Sequence, residues 1–318
     1  MPQNALELDN VCKTYGDFRA VDRISLAIPE GSIYGFLGPN GAGKTTTIRI
    51  ILDIIKPSSG AVAVFGQSSA LLVRNRIGYL PEEKGLYKKM KTWSIIAYFA
   101  TLKGLDRKTA KHRAFELLEK YGLKDFAEQK TEALSKGMGQ KVQVLAAIAH
   151  EPDLVILDEP FSGLDPVNQQ VMEEVIQDMA EQKKTILFST HVMQHAERIC
   201  DNILLIAKGK KIFDGTIEAA KRRMPRRVRI ETDSDVSPLL ALRDVKQVLA
   251  VDADGKGKDV SDGPYWECHI EEDADAEVIL QACFDNQIRL RRFDHSEPSL
   301  HEVFMSLVGD DAREAVFR

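Results

Sequence analysis

"SIYGFLGPNGAGKTTTIRIILDII", residues 32–55, decides how this chain must be read. An apolar run from Ile33 to Leu37 ends in a glycine-rich turn, and the turn opens a helix-like segment. Gly38, Gly43, Lys44 and Thr45 stand at the spacing GxxxxGK[ST], in the order strand, turn, helix that the motif's chemistry requires. Glycines let successive backbone N–H groups curl around phosphate oxygens, and the helix N-terminus adds favourable partial charge. Gly38, Asn40, Gly41, Gly43, Lys44, Thr45 and Thr46 are therefore the candidate cradle residues. Lys44 is placed for the terminal phosphates and Thr45 for Mg²⁺. A glycine-rich turn with a purely structural purpose needs neither that lysine nor that threonine, so the stretch points to nucleotide binding. Its helix is predicted over residues 45–55, ending before Pro57-Ser58-Ser59-Gly60.

The second half of such a site is "LVILDEP", residues 154–160. Asp158 closes an apolar strand, where a carboxylate can hold Mg²⁺, and Glu159 follows as a candidate general base for an attacking water. Alone, Asp-Glu after a strand is a common loop opening; beside the cradle it becomes a catalytic metal site. The first 220 residues alternate strand-like and helix-like runs, the pattern of an α/β domain. "DLVILDEP" and "KTILFSTH" suit parallel strands buried on both faces, with the helix "VNQQVMEEVIQDMAEQ" between them. Residues 92–149 read as helical almost throughout, and Ala114, Leu117, Leu118 and Tyr121 form one apolar stripe.

Bulk properties narrow the class. The 318 residues are 44% hydrophobic and 29% charged, as in a globular protein of one large or two ordinary domains. No apolar run suggests a membrane span, and the N-terminus reads as no signal peptide. Cys12, Cys200, Cys268 and Cys283 lie far apart without CxxC spacing, which suits a reducing, cytosolic compartment. The net charge of −5 hides a split: residues 231–318 carry 21 Asp/Glu and 9 Lys/Arg, or −12, leaving +7 for residues 1–230. The step follows "KRRMPRRVR", residues 221–229, and suggests a domain boundary there. That stretch reads as a solvated linker or helix end, with nucleic acid or anionic lipid as the other reading. Beyond it, "RVRIET", "QVLAVDA" and "YWECHIEE" are short strands, with helices near 274–286 and 299–308. The last helix opens on a capping box, Ser299 to Glu302. This is a small α+β domain.

Further motifs separate the many nucleotide-binding possibilities. "ALSKGMGQK", residues 133–141, resembles the signature of ATP-binding cassette proteins, usually LSGGQ, with Lys136 and Met138 as departures. Ser135 lies 23 residues before Asp158, "SGLD" at 162–165 is similar to the family's D-loop, and "FSTH" ends in His191, 33 residues after Asp158. Tyr15 matches the aromatic that stacks on adenine. The resemblance spans roughly the first 215 residues. It implies a P-loop NTPase: a RecA-like core with an antiparallel β subdomain and a helical subdomain, plus the C-terminal α+β domain. The implied domains are a nucleotide-binding domain, 1–222, with its helical subdomain at about 88–150, and an accessory domain, 226–310.

The resemblance also implies roles. ATP and Mg²⁺ are the expected ligands, with Ser135 and Gly137 touching the γ-phosphate from a second subunit and Asp165 in the D-loop. His191 is the expected γ-phosphate sensor; the other histidines (His112, His150, His195, His269, His295, His301) form no ligand pattern and receive no role. Two copies are expected to pair head-to-tail around two ATP molecules, close on binding and open on hydrolysis, passing the motion to a separate membrane permease. The chain is then cytoplasmic and peripheral on the inner face of the cell membrane. Lys44 and Ser135 are 91 residues apart, compact as in transporter subunits, without the insertions of DNA-acting cassettes. A soluble cassette ATPase acting on nucleic acid or ribosomes is the alternative, yet no aromatics are interleaved with the basic stretch and no nucleic acid is expected. The tail, including "EPSLHEVFMSLVG" at 297–309, resembles bacterial exporters of the sodium-extrusion and drug-resistance type; an importer ATPase with a regulatory tail is the runner-up.

"IGYLPEEKGLY", residues 77–87, carries adjacent carboxylates, Glu82 and Glu83. Paired carboxylates suit acid/base or metal chemistry, and Pro81 and Gly85 equally suit a solvated turn. The family has a glutamine aligned with Glu82 that touches Mg²⁺ and the attacking water. The resemblance thus implies a metal-side role for Glu82, while Glu83 reads as a surface charge. "KGLYKKM" after it is expected near the groove for the permease.

Overall fold

The computed structural model describes residues 3–83, 85, 87–251, 265–271 and 274–309. The chain divides into two compact units with the boundary at Ile217/Glu218, the second running to Ser306.

The first unit begins with β1 (Asn4–Tyr15) and β2 (Phe18–Pro29), a long hairpin closed by Gly16-Asp17. β3 (Ile33–Leu37) then enters the main sheet, followed by α1 (Lys44–Ile51). α1 ends four residues before the sequence predicts. Asp53 turns left-handed at φ 58°, and Ile54 N–H reaches back to Arg49 C=O at 2.9 Å, satisfying the helix's last carbonyls. β4 (Ser59–Val64) joins β1 and β2 in an antiparallel sheet of order β2-β1-β4.

β5 (Ile77–Leu80) leads into three helices, α2 (Thr92–Leu102), α3 (Arg107–Lys120) and α4 (Lys136–Ile148). Asp106 caps α3 by accepting the N–H groups of Lys108 and Thr109, and the predicted stripe Ala114, Leu117, Leu118 and Tyr121 is buried. The chain continues as β6 (Leu154–Asp158), α5 (Pro166–Glu181), β7 (Thr185–Thr190), α6 (Met193–Ile199), β8 (Asn202–Ala207) and β9 (Lys210–Thr216). The main sheet has the order β5-β6-β7-β3-β8-β9, parallel except for β9. Every residue of β3, β6 and β7 is buried, as expected of parallel strands covered on both faces. One apolar core, including Leu6, Phe36, Ile48, Leu187 and Leu204, joins α1 to both sheets.

α7 (Ile217–Lys221) precedes the second unit's strands, β10 (Arg227–Glu231), β11 (Val245–Val251), β12 (Tyr265–Ile270) and, after α8 (Ala276–Asp285), β13 (Arg292–Asp294). They form an antiparallel sheet of order β11-β12-β10-β13. The three-residue β13 carries too little pattern to be read from sequence. α9 (Leu300–Val308) opens on the capping box, with Ser299 N–H donating to Glu302 at 2.9 Å and Glu302 N–H to Ser299 Oγ at 3.3 Å. The unit has its own core, with Val228, Ile230, Cys268, Ile279 and Cys283 inside. Residues 252, 253 and 272 of the predicted strands and residue 310 of the predicted accessory domain lie outside the described residues.

Candidate active site

Parallel pairing gathers the predicted residues at one edge. β5, β6, β7 and β3 are neighbours and run the same way, so the segments that follow them leave from the same side of the sheet. Those segments carry Glu82, Glu159, His191 and the cradle.

The cradle is held by close backbone approach. Gly43, at φ 102°, is the residue before α1, and a Cβ there meets Ala20 C=O at 2.4 Å. A Cβ on Gly38 meets Ile206 C=O at 2.1 Å. Asn40 and Gly41 are exposed at the tip, and Thr46 is half-buried on α1. Lys44, only 5% exposed, donates from Nζ to Gly38 C=O at 2.6 Å and Pro39 C=O at 3.2 Å. Nζ also lies 3.6 Å from Glu159. Burial lowers its pKa, while the charges of Glu159, Asp158 and Glu82 pull the other way.

Asp158 ends β6 almost fully buried. Its Oδ1 accepts from Ser189 Oγ and from Thr45 Oγ1, the latter at 3.4 Å, whereas Oδ2 is buried with no hydrogen-bond partner among the described residues. Burial raises its pKa; Ser189 and Thr45 lower it, and the Glu82 and Glu159 charges add to the rise. An orphaned carboxylate oxygen beside a threonine hydroxyl, in a site that favours added positive charge, fits a hard divalent cation.

Glu159 takes a left-handed conformation, φ 51°, that costs a non-glycine residue on the order of 1 kcal/mol. Its N–H donates towards Ser189 Oγ at 3.1 Å and Ser189 C=O at 3.2 Å, holding that geometry. The turn aims the carboxylate at His191, whose Nδ1 lies 3.0 Å from both Glu159 oxygens. His191 is half-exposed, whereas Glu159 is buried. Glu82 is exposed at the same edge, near enough for its charge to act on Lys44 and Asp158. Glu83 is 90% exposed and pairs with Arg49 at 3.7 Å.

Other predicted residues have local partners. Ser135 caps α4, its Oγ accepting Met138 N–H at 3.3 Å. Gly137 packs so closely on Asn168 that a Cβ would sit 2.5 Å from its side-chain nitrogen. Asp165 caps α5 by accepting Asn168 N–H at 2.9 Å. Asn168 therefore connects the 133–141 motif with the residues after β6. Tyr15 is 51% exposed at the end of β1, with Lys13 Nζ 5.1 Å from its ring centroid.

Three supporting residues escaped the sequence reading. Ser189 bridges Asp158 and Glu159. Gln140, buried on α4, donates to Pro160 C=O just after Glu159. His195, given no role above, is buried and stacks on Phe161 at 4.2 Å between ring centroids. Polar residues in apolar surroundings were the available signal, but their partners lie 20–34 positions away in the chain.

A buried lysine, a glycine cradle and a Ser/Thr-braced carboxylate pair at the carboxyl edge of a parallel sheet define a P-loop nucleotide hydrolase. The comparisons make this specific. Residues 21–162 match the ABC transporter family and residues 215–308 the C-terminal domain of DrrA1-3-like ATP-binding proteins. An uncharacterized ABC transporter ATP-binding protein, YhaQ of Bacillus subtilis, is 39% identical over 96% of this chain and 98% of its own. The Nod factor export ATP-binding protein I of Burkholderia orbicola is 31% identical over 97% of this chain and 98% of its own. A dimeric ATP-binding cassette in a post-hydrolysis state with ADP and Pi superimposes with a TM-score of 0.62 and 25% identity, over 67% of this chain and 98% of that one. The chain belongs to the ATP-binding, ATP-hydrolysing subunits of ABC transporters.

Proposed function

We propose that this chain powers export through a separate membrane-spanning permease by closing a head-to-tail dimer around two ATP molecules. The observation that carries the hydrolytic part is the convergence of Lys44, Asp158, Glu159 and His191 at one sheet edge. Among the described residues no helix is long and apolar enough to cross a membrane, so the transport path needs another chain. Export is favoured over import by the similarity to the Nod factor export ATP-binding protein I. In this reading residues 1–222 are the nucleotide-binding domain, residues 88–150 its helical part and residues 226–310 an accessory domain. The protein then sits on the cytoplasmic face of the membrane.

In the reaction, Lys44 and the cradle N–H groups of residues 40–46 bind the β- and γ-phosphates, and Tyr15 stacks on adenine. Glu159 takes the proton of the attacking water, while His191 orients Glu159 and senses the γ-phosphate. Thr45 and Asp158, with Glu82 alongside, would hold Mg²⁺, which when bound would supply charge neutralisation to the phosphate oxygens. Ser135 and Gly137 serve the partner copy's ATP, and Asp165 lies beside that junction. The stretch 84–90 offers the permease contact, although Lys84 and Leu86 lie outside the described residues.

Lys44→Ala tests the cradle: ATP affinity, measured by equilibrium binding of a fluorescent analogue, should fall at least about tenfold. Unchanged affinity would refute the assignment. Purification with and without the product of a neighbouring permease gene tests the partner, since the ATPase should bind it in a stable complex.

A further inference from the structure

The basic stretch 221–229, unused by the ATPase mechanism, builds one side of a groove within the second unit. The groove encloses about 850 Å³ and is lined by α7, the segment leading into β10, the start of β11 and the residues after β13. Six of its lining side chains are cations, Lys221, Arg222, Arg223, Arg226, Arg227 and Lys246, against three carboxylates. Yet residues 231–318 carry a net −12, so the groove is a basic hollow in an acidic domain.

We propose that this groove binds a compact anion bearing two or more phosphate groups. Arg227 forms its fixed floor: it is buried and pairs with Glu267 at 3.2 Å and with Glu302. Around it, Arg222, Arg223 and Arg226 are exposed. Guanidinium forks match phosphate oxygens two at a time, and several on one short segment suit several phosphates. At the rim, the structure already seats anionic groups on two of the cations. Glu297 lies 3.2 Å from Lys221, and Glu271 lies 2.8 Å from Lys246. Surface pairs of this kind contribute little and exchange readily for a stronger anion.

The surroundings select for size and class. Among the described residues no Phe, Tyr or Trp lines the groove, so they offer no platform on which successive bases could stack. The acidic remainder of the domain repels a long polyanion, but not one that fits inside the hollow. A phosphorylated metabolite and a lipid headgroup share this chemistry.

The test uses full-length protein in a Lys44→Ala background, where the ATP cradle is weakened. Tripolyphosphate is titrated by calorimetry, and vesicles of phosphatidylcholine with or without cardiolipin, whose headgroup carries two phosphates, are assayed by sedimentation. Binding should be about tenfold weaker in Arg222→Gln/Arg223→Gln, with an unchanged melting temperature, and weaker at higher salt. Because both proteins share the same cradle, that difference reports on the groove even if the cradle assignment is wrong. Loss of tripolyphosphate binding alone identifies a soluble ligand; loss of vesicle binding alone identifies a headgroup. Should the double variant melt early, Lys246→Gln on the opposite wall replaces it. The proposal is overturned if neither probe binds, if the variants bind both probes as well as the parent, or if only a single-stranded RNA oligonucleotide depends on these arginines.

Discussion

Ser189 stands directly opposite Asp158 in the parallel ladder between β6 and β7, and its hydroxyl bonds Asp158 Oδ1. The same hydroxyl accepts the N–H of Glu159 at 3.1 Å. One buried serine thus fixes both carboxylates of the site, by register rather than by sequence proximity. Ser189→Ala should lower kcat about tenfold with a smaller change in KM for ATP, and cost roughly 1–3 kcal/mol of stability through the lost bonds. Steady-state ATPase assays and urea unfolding check this. A loss of stability with kcat intact would make Ser189 a structural residue only.

In the proposed mechanism Glu159 is the residue on which turnover depends most directly. Glu159→Gln keeps the size of the side chain and removes its basicity, so ATP binding should persist while hydrolysis drops about a hundredfold or more. A dimer should accumulate with ATP, visible by size-exclusion chromatography with light scattering. Hydrolysis at the parental rate would end the general-base assignment.

Glu82 brings a third carboxylate to the edge that carries Asp158 and Glu159. Glu82→Gln removes negative charge near the proposed metal position and should shift the Mg²⁺ dependence of ATP turnover, measured by titrating Mg²⁺ at fixed ATP. With ATPase activity, Mg²⁺ dependence and coupling all unaltered, Glu82 returns to the solvated turn.

His150 predicts a pH response away from the site. It is buried, its Nε2 lies 3.2 Å from Ile77 C=O, and its Nδ1 has no partner among the described residues. Burial, aided by the nearby Lys103 charge, lowers its pKa from 6.5 to about 4. Between those values the unfolded chain binds the proton that the folded chain refuses. Stability therefore falls as pH drops from about 6.5 towards about 4, by on the order of 2–3 kcal/mol, and this contribution levels off below. Urea unfolding at pH 7 and pH 5 should show the loss, and His150→Gln should flatten it. A variant with the parental pH slope would assign the effect elsewhere.

Legibility followed the range of the interactions. The cradle could be read because nine consecutive residues, 38–46, carry its backbone geometry and its lysine. Asp158 and Glu159 were readable as the end of an apolar strand, and His191 by its order and spacing against a known family, whereas the roles of Ser135 and Tyr15 rest on that resemblance alone. α1 read too long because nothing in "LDII" announces that Asp53 turns left-handed; its side chain bonds Ser69 Oγ and Lys56, contacts made only after folding. The basic stretch read as a linker because a charge run does not reveal what faces it. Lys246 lies on β11 and His295 just after β13, the two edge strands of a sheet that joins them through β12 and β10.

By itself, then, the sequence determined the fold class, the glycine-rich cradle pattern and the candidate reacting side chains, because each is written in short-range pattern and composition. Only the tertiary structure decided how those side chains are held. The Asp158–Ser189 register, the left-handed Glu159 aimed at His191, the Gly137–Asn168 packing and the arginine-lined groove all join segments distant in the chain. Their geometry is set by strand pairing and close packing, which no local window of residues contains.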